Sequence, residues 1–149
     1  MEDKQYHVAL TLIDPWGNTQ TPTYNVFIKP DEIQEFKKGI TTKINRFKAT
    51  LSRLSTRTYE MIEYWGHNNG KQWTTEAKDS QYHFSLTLTD PWDNKATKDY
   101  VFTLDPKDIE DFKGKYLSAE KHLIFKGIFS SLYIFILDTI KDWGKKSVT

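Results

Sequence analysis

Seven basic residues and no acidic residue lie between Lys37 and Tyr59, a run suited to binding phosphate. This segment carries a formal charge of +7, whereas the whole chain carries only +1. Helical spacing places Arg46, Arg53 and Arg57 opposite an apolar stripe, where guanidinium groups could donate hydrogen bonds to phosphate oxygens. We therefore predict a nucleic-acid-binding face, with the candidate residues Lys43, Arg46, Lys48, Arg53 and Arg57. The alternative is a solvated helix face whose charges pair with acids elsewhere in the fold.

Tryptophans in polar segments are candidates for stacking on bases or on a ring-shaped ligand. Trp16 and Trp92 lie in two similar turns, DPWGN and DPWDN, and Trp73 lies in the polar segment HNNGKQWTTEAKDS. The structural alternative is that a turn tryptophan folds back over the end of a hairpin. Trp65 and Trp143, each followed by glycine at the end of a predicted helix, fit a structural role better.

Titratable side chains show no spacing typical of an enzyme or of a metal site. The histidines are scattered, and a surface role is favoured for His7 and His83, which recur in similar strands. Asp14 and Asp90 precede proline in the two turns, where accepting backbone hydrogen bonds is a sufficient role. No glycine-rich phosphate loop, nucleophile elbow or dinucleotide motif is present. We therefore predict a protein that is not an enzyme, with no catalytic residue, no metal and no cofactor.

The chain contains an internal repeat. Residues 5–37 align without a gap onto residues 81–113 at an offset of 76, with 16 of 33 positions identical. Such a repeat usually means two copies of one supersecondary unit that share a core and are related by an approximate twofold axis. We divide the chain into a first repeat at 1–66, a polar linker at 67–80 and a second repeat at 81–149.

Each repeat predicts a β-hairpin followed by two helices. Apolar and polar residues alternate over 6–12 and 82–88, the pattern of a strand with one buried face. A turn and a second alternating strand follow, then a short helix that begins after proline. Longer helices are predicted at about 40–65 and 118–143. The expected fold is α+β: a tandem β-β-α-α unit whose antiparallel hairpins pack against helices in one pseudo-twofold domain, as one sheet or as two facing hairpins.

The second long helix is apolar on nearly every side from Leu123 to Ile140. Such a helix must be buried nearly all round, and surface that the chain cannot cover indicates a partner. The simplest partner is a second copy of the chain, and Gly127 and Ser131 would allow a second helix to approach closely. We therefore predict a homodimer, with the candidate interface residues Ile128, Phe129, Leu132, Phe135 and Ile136. The alternative is a central core helix clasped by the hairpins and the first long helix.

Composition and the N-terminus favour a globular protein inside a cell. Charged residues make up 28% of the chain and aromatic residues 15%, and cysteine is absent, which excludes disulfides and thiolate sites. The N-terminal MEDKQYHVALTL lacks the basic start and long apolar region of a signal peptide. No uninterrupted apolar stretch reaches the roughly 18 residues of a transmembrane helix. We expect a cytoplasmic protein, or one in the host-cell cytoplasm if it is virus-encoded, with no membrane partner.

These patterns favour a non-enzymatic binding protein that self-associates through its apolar C-terminal helix and engages nucleic acid, DNA or RNA, or another polyanion through its basic helix. A second hypothesis is a protein-interaction, assembly or inhibitor module, such as a virus-encoded accessory protein, whose basic face is only solvated. A third is a small-molecule binder that uses the Thr-, Ser- and His-rich strand face together with Trp16 and Trp92. Salt dependence separates the first two hypotheses, because phosphate binding weakens steeply with ionic strength.

Overall fold

The chain forms one antiparallel sheet with helices packed on its apolar face. The computed structural model describes residues 4–29, 31–32, 45–68, 80–113 and 118–146. The strands are β1 (Lys4–Ile13), β2 (Thr19–Gln20), β3 (Thr23–Ile28), β4 (Ser80–Thr89) and β5 (Lys95–Leu104), and the helices are α1 (Asn45–Asn68), α2 (Pro106–Lys113) and α3 (Ala119–Lys146). Asp31 and Glu32 are also helical. The predicted α+β class is confirmed.

Alternation along β1 and β4 decides which face of the sheet meets the helices. Successive side chains of a strand point to opposite faces, so one set of alternate residues can be buried together. As predicted, the inward positions of both strands are buried: Tyr6, Val8, Leu10, Leu12, Tyr82, Phe84, Leu86 and Leu88. The other face carries histidine, serine and threonine side chains that are exposed or half-buried.

β1 and β4 are the central pair of the sheet. The strand order is β2–β1–β4–β5, and β3 pairs with β1 along the edge that β2 shares. Leu10 lies opposite Leu86, His7 opposite Thr89, and Ile13 opposite His83. The strands therefore form one sheet rather than two facing hairpins. Because β1 and β4 run antiparallel, the turns that follow them lie at opposite ends of this sheet.

Each of these turns is built around a buried aspartate. One carboxylate oxygen of Asp14 accepts hydrogen bonds from the backbone N–H groups of Trp16 at 3.0 Å and Asn18 at 2.7 Å. The other oxygen accepts from the side-chain amide of Asn18 at 2.7 Å. Asp90 accepts the same three bonds in the second turn, at 2.9, 2.8 and 2.7 Å. The predicted local role of these aspartates is confirmed.

The two turns differ at a position that requires left-handed backbone. Gly17 has φ +89° in the first turn, and Asp93 has φ +66° in the second. A left-handed conformation costs an L-residue about 1–2 kcal/mol, although aspartate tolerates it better than most, and glycine loses more entropy on folding. We expect Asp93→Gly to raise the free energy of unfolding by about 0.5 kcal/mol in urea denaturation.

The converse change, Gly17→Asp, serves as the matched control for this prediction. A Cβ atom at Gly17 would meet no neighbouring heavy atom within 4 Å, so the substitution tests backbone strain without a steric clash. It should lower the free energy of unfolding by a similar amount. A less stable Asp93→Gly protein would show that the aspartate side chain contributes more to the turn than its strain costs.

The apolar stripe predicted along the first long helix is buried wherever the structure describes it. Its buried members are Phe47, Leu51, Leu54, Met61, Ile62 and Trp65. Ile40 and Ile44, which continue the same apolar spacing in the sequence, lie outside the described residues. α1 continues past Gly66 to Asn68, and α3 continues past Gly144 to Lys146. A single glycine costs a helix only about 1 kcal/mol and does not by itself end it.

The α3 residues that we predicted as a partner interface lie instead in the core of the chain itself. Four of them are buried and the last is half-buried: Ile128, Phe129, Leu132, Ile136 and Phe135. They face the aromatic side chains of the sheet, where the ring centroids of Phe84 and Phe129 are 6.1 Å apart. These side chains therefore pack mainly within the chain, and the predicted homodimer stays a prediction.

Residues Ala119–Trp143 of α3 are also long and apolar enough, by length and composition, to cross a membrane. Core helices of soluble proteins and signal sequences meet the same criterion, and 33% of the most apolar window is buried within this fold. The expected absence of a membrane partner stays a prediction.

Candidate nucleic-acid interface

α1 carries four of the five basic residues predicted to bind nucleic acid. Arg46, Lys48, Arg53 and Arg57 are exposed to solvent, and Lys43 lies outside the described residues. With 3.6 residues per turn, the three arginines fall within about 40° of one another around the helix axis, whereas Lys48 lies at least about 140° away. The predicted basic face is therefore divided between two flanks of α1.

Arg46 is held in an ion pair rather than presented to a ligand. Its guanidinium donates a hydrogen bond of 2.6 Å to the carboxylate of Glu32. The same carboxylate oxygen accepts from the backbone N–H of Lys29 at 3.2 Å. The alternative to phosphate binding was that these charges pair with acids elsewhere in the fold. For Arg46 this alternative describes the structure better.

Arg53 and Arg57 line a depression of about 320 Å³ between α1 and β3, which we call the arginine cleft. Its other lining residues are Tyr24, Ser52, Thr56 and Glu60. The two arginines are four residues apart, so their side chains leave the same side of α1 on successive turns. The cleft thus combines two guanidinium groups with hydroxyls and one aromatic ring.

A second depression of about 570 Å³, which we call the lysine groove, runs between α1 and α3. Lys48 lines it from α1 and Lys126 from α3. Its remaining lining is partly apolar and partly hydroxyl-bearing: Leu51, Phe129, Tyr133, Ile134, Ser52, Ser55, Thr56 and Ser130. Because Ser52 and Thr56 line both depressions, they form a crest with arginines on one side and lysines on the other.

The threonine hydroxyls near this face are partly engaged by the helix backbone. Thr50 is buried and donates a hydrogen bond to the carbonyl oxygen of Arg46 at 2.8 Å. Thr56 is exposed and donates to the carbonyl oxygen of Ser52 at 3.2 Å. Back-bonding of this kind is common for threonine within helices. Thr50 is therefore not available to a ligand.

The other four basic residues of this surface form no ion pair with the described residues. No carboxylate oxygen of the described chain lies within 4.0 Å of the charged nitrogen atoms of Lys48, Arg53, Arg57 or Lys126. Glu60 is the acidic member of the arginine cleft and limits the positive potential at one end of it. The surface on both sides of the crest therefore carries four cations without ion pairs among the described residues, with Glu60 as an acidic neighbour of Arg53 and Arg57.

The structure does not bring the candidate stacking tryptophans together. Trp16 is half-buried and packs against the core. Trp92 is about half exposed, and its side chain also interacts with other residues of the chain. The two side chains belong to turns at opposite ends of the sheet, so they cannot flank one small ligand. Trp73 lies outside the described residues.

The two strand histidines are also separated. In the β1–β4 ladder His7 lies opposite Thr89 and His83 opposite Ile13, which places the histidines six residues apart, roughly 20 Å along the strands. His7 hydrogen-bonds to the side chain of Asn25. Within the described residues no group of three or more potential metal-ligating side chains is found.

The buried titratable groups of the described chain serve the fold. Burial raises the pKa of Tyr6 to about 12, and the nearby carboxylate of Asp90 adds to this rise. Asp105 and Asp108 cap the start of α2, where each carboxylate accepts from the other's backbone N–H, at 2.8 and 2.9 Å. Burial raises the pKa of Asp108, whereas the hydrogen bond from the Asp108 N–H lowers the pKa of Asp105. Lys121 lies 3.4 Å from the Asp108 carboxylate.

Two members of the site were missed by sequence reasoning. Lys126 is a single lysine in an apolar helix, and only the packing of α3 beside α1 shows that it faces Lys48. Tyr24 lies in β3 and is half-buried at the wall of the arginine cleft. No local signal in the sequence marks either residue as part of a binding surface.

Comparison of the chain with protein-family models, with curated proteins and with solved structures finds no significant match.

Proposed function

We propose that this chain is a non-enzymatic protein that binds DNA or RNA through the arginine cleft and the lysine groove. The observation that carries the proposal is the pair Arg53 and Arg57, which are exposed on successive turns of α1 and have no carboxylate partner among the described residues. A cytoplasmic location and self-association are parts of the same proposal.

The side chains of the arginine cleft and the lysine groove are suited to binding a phosphate backbone. Guanidinium groups donate paired hydrogen bonds to phosphate oxygens, and serine and threonine hydroxyls accept or donate beside them. Tyr24 at the wall of the arginine cleft offers a ring on which an unpaired base can stack. Lys48 and Lys126 extend the positive surface across the crest, so that a strand crossing α1 meets cations on both flanks.

The proposal predicts that the double variant Arg53→Gln/Arg57→Gln binds nucleic acid about tenfold more weakly than the parent chain. The log–log dependence of affinity on salt should also become less steep. The expected change in slope is about 0.9 on duplex DNA, and about 0.7 on a single strand, for each phosphate that the variant no longer neutralises. The measurement is fluorescence anisotropy of labelled mixed-sequence DNA and RNA oligonucleotides over a series of salt concentrations.

Arg46→Gln is the matched control, because Arg46 lies on the same flank of α1 but is paired with Glu32. It should leave the affinity and the salt slope nearly unchanged, and circular dichroism should show the same helix content for all variants. Equal affinity of the parent and the double variant would remove the arginine cleft from the binding site. No salt-dependent binding by the parent chain would reject the nucleic-acid proposal altogether.

A second candidate function, a protein-interaction or assembly module, is favoured by exposed apolar side chains on α3. Leu123, Ile124 and Ile134 are large hydrophobic residues that the described chain leaves in contact with solvent. Under this alternative the basic residues of α1 form only a solvated helix face. Binding of a protein partner would then respond little to salt.

We also propose that the chain is a tandem duplication with pseudo-twofold symmetry. The register of the β1–β4 ladder supports this, because Leu10 and Leu86, which are equivalent in the repeat, lie opposite each other. Equivalent hydroxyl pairs on the outer face support it as well. The side-chain hydroxyls of Thr11 and Thr21 are hydrogen-bonded at 3.0 Å, and those of Thr87 and Thr97 are hydrogen-bonded at the same distance.

A further inference from the structure

One face of α3 points away from the sheet and is apolar at its centre. The exposed fractions are 68% for Leu123, 44% for Ile124 and 57% for Ile134. Seven residues make just under two helical turns, so positions 120, 127, 134 and 141 follow one line along this face. The residues at these positions are Glu120, Gly127, Ile134 and Lys141, and the exposed Asp138 lies on the same face, five full turns from Glu120. We call the line through these four positions the α3 line.

Gly127 on this line has no evident role within the described chain. A Cβ atom built on it would meet no neighbouring heavy atom within 4 Å. Glycine inside a helix costs about 1 kcal/mol relative to alanine, and no side chain of the described fold needs the space that it leaves. The gap on the helix surface is therefore available to a side chain from outside the molecule.

The α3 line is complementary to a second copy of itself that runs in the opposite direction. If a second α3 lies antiparallel, with the midpoint between Ser130 and Ser131, Gly127 faces the partner's Ile134 and Glu120 faces the partner's Lys141. Twofold symmetry makes each contact twice. A large side chain then fills the gap at Gly127, and Glu120 meets the partner's Lys141 at both ends of the line. Asp138 faces the partner's Leu123 in the same arrangement.

A parallel pair of helices would lack this complementarity. It would set Glu120 against the partner's Glu120 and Lys141 against the partner's Lys141, and like charges repel across an interface. It would also set the two Ile134 side chains against each other and leave the gap at Gly127 unfilled. Charge and shape therefore both favour the antiparallel arrangement.

We propose that a second copy of this chain packs on the α3 line in an antiparallel arrangement. This inference rests on the self-association included in the proposed function. Because Ile134 also lines the lysine groove, the second copy would cover that wall of the groove, but it uses no residue of the arginine cleft. The surface that it uses differs from the one that we predicted, because Ile128, Phe129, Leu132 and Ile136 are buried within the chain.

The test is sedimentation velocity of the full chain without nucleic acid, over a series of protein concentrations. The parent chain should be a dimer, and Ile134→Asp should raise its dissociation constant more than about 100-fold, because it buries an unpaired charge at the interface. Val101→Asp is the matched control, since Val101 is an exposed apolar residue on the outer face of β5. It should dimerise like the parent.

Charge reversal tests the antiparallel arrangement itself. Glu120→Lys and Lys141→Glu should each weaken the dimer, by about three- to tenfold, and the double variant should restore it. A dimer that Ile134→Asp leaves unchanged, or a double reversal without recovery, would overturn the proposed arrangement. A monomeric parent chain that instead binds phosphatidylcholine vesicles would assign the α3 line to a lipid surface and also overturn it.

The failure of one proposal can be told from the failure of the other through the arginine cleft, which shares no lining residue with the α3 line. Arg53→Gln/Arg57→Gln should sediment as the parent dimer, because neither arginine lies on α3. A monomeric parent chain that still binds oligonucleotides would reject the α3 interface and leave the arginine cleft in place. A dimer that binds no nucleic acid would do the reverse.

Discussion

Replacing Phe84 with alanine is expected to lower the free energy of unfolding by about 3–5 kcal/mol, the largest effect that we predict for a single change. Phe84 is fully buried in β4, at the point where the sheet meets α3. Its ring centroid lies 6.1 Å from those of Phe102, Phe125 and Phe129. Truncation would remove apolar contacts to both layers at once and leave a cavity that these rings can only partly fill.

The measurement is urea unfolding followed by tryptophan fluorescence. Phe27→Ala is the matched control, because Phe27 is half exposed on the outer face of β3 and undergoes the same chemical change. It should cost about 1 kcal/mol or less, as expected for a surface position. If the two variants were equally stable, Phe84 would not join the sheet to α3 in the way that the structure indicates.

Asp90→Ala is expected to lower the free energy of unfolding by about 2–4 kcal/mol. The substitution removes a buried carboxylate that accepts from the backbone N–H groups of Trp92 and Asn94 and from the side-chain amide of Asn94. A partly buried donor left without an acceptor costs about 1–3 kcal/mol, and three donors lose theirs together. Because Asp90 contributes to the raised pKa of Tyr6, the same change should also lower that pKa.

Two comparisons test this explanation by the same urea denaturation, with the Tyr6 pKa followed by absorbance at alkaline pH. Asp14→Ala should match Asp90→Ala in its effect, because each of its three hydrogen bonds agrees with its counterpart within 0.1 Å. Asp99→Ala, an exposed aspartate of β5, should change stability by less than about 0.5 kcal/mol. Equal effects at positions 90 and 99 would contradict a structural role for the turn carboxylates.

The parts of the fold that depend on local pattern could be predicted from the sequence. Alternation located the inward face of β1 and β4, since burial on one side of a strand requires a period of two. The aspartate before Pro-Trp predicted the turns. Its carboxylate accepts from backbone N–H groups that are close in sequence, two and four residues further along the chain. Helical periodicity located the buried stripe of α1, where one side is polar.

Features that depend on distant partners could not be predicted. Between Leu123 and Ile140 most positions of α3 are apolar, so periodicity could not show that Phe129 faces inward and Ile134 outward. The ion pair of Arg46 depends on the position of Glu32, and the separation of His7 from His83 depends on strand register. These outcomes follow from tertiary packing, which no short window of sequence contains.

The register of the central ladder has a consequence for how the protein folds. β4 and β5 are joined by a five-residue turn, whereas Leu10 must find Leu86 across 75 intervening residues. Closing a longer loop costs more chain entropy, so each half of the sheet can form before the two halves meet. Until they meet, β1 and β4 are both open edges with unpaired N–H and C=O groups, able to join strands of other chains. The folding step that completes the core is thus also the step at which aggregation competes most strongly.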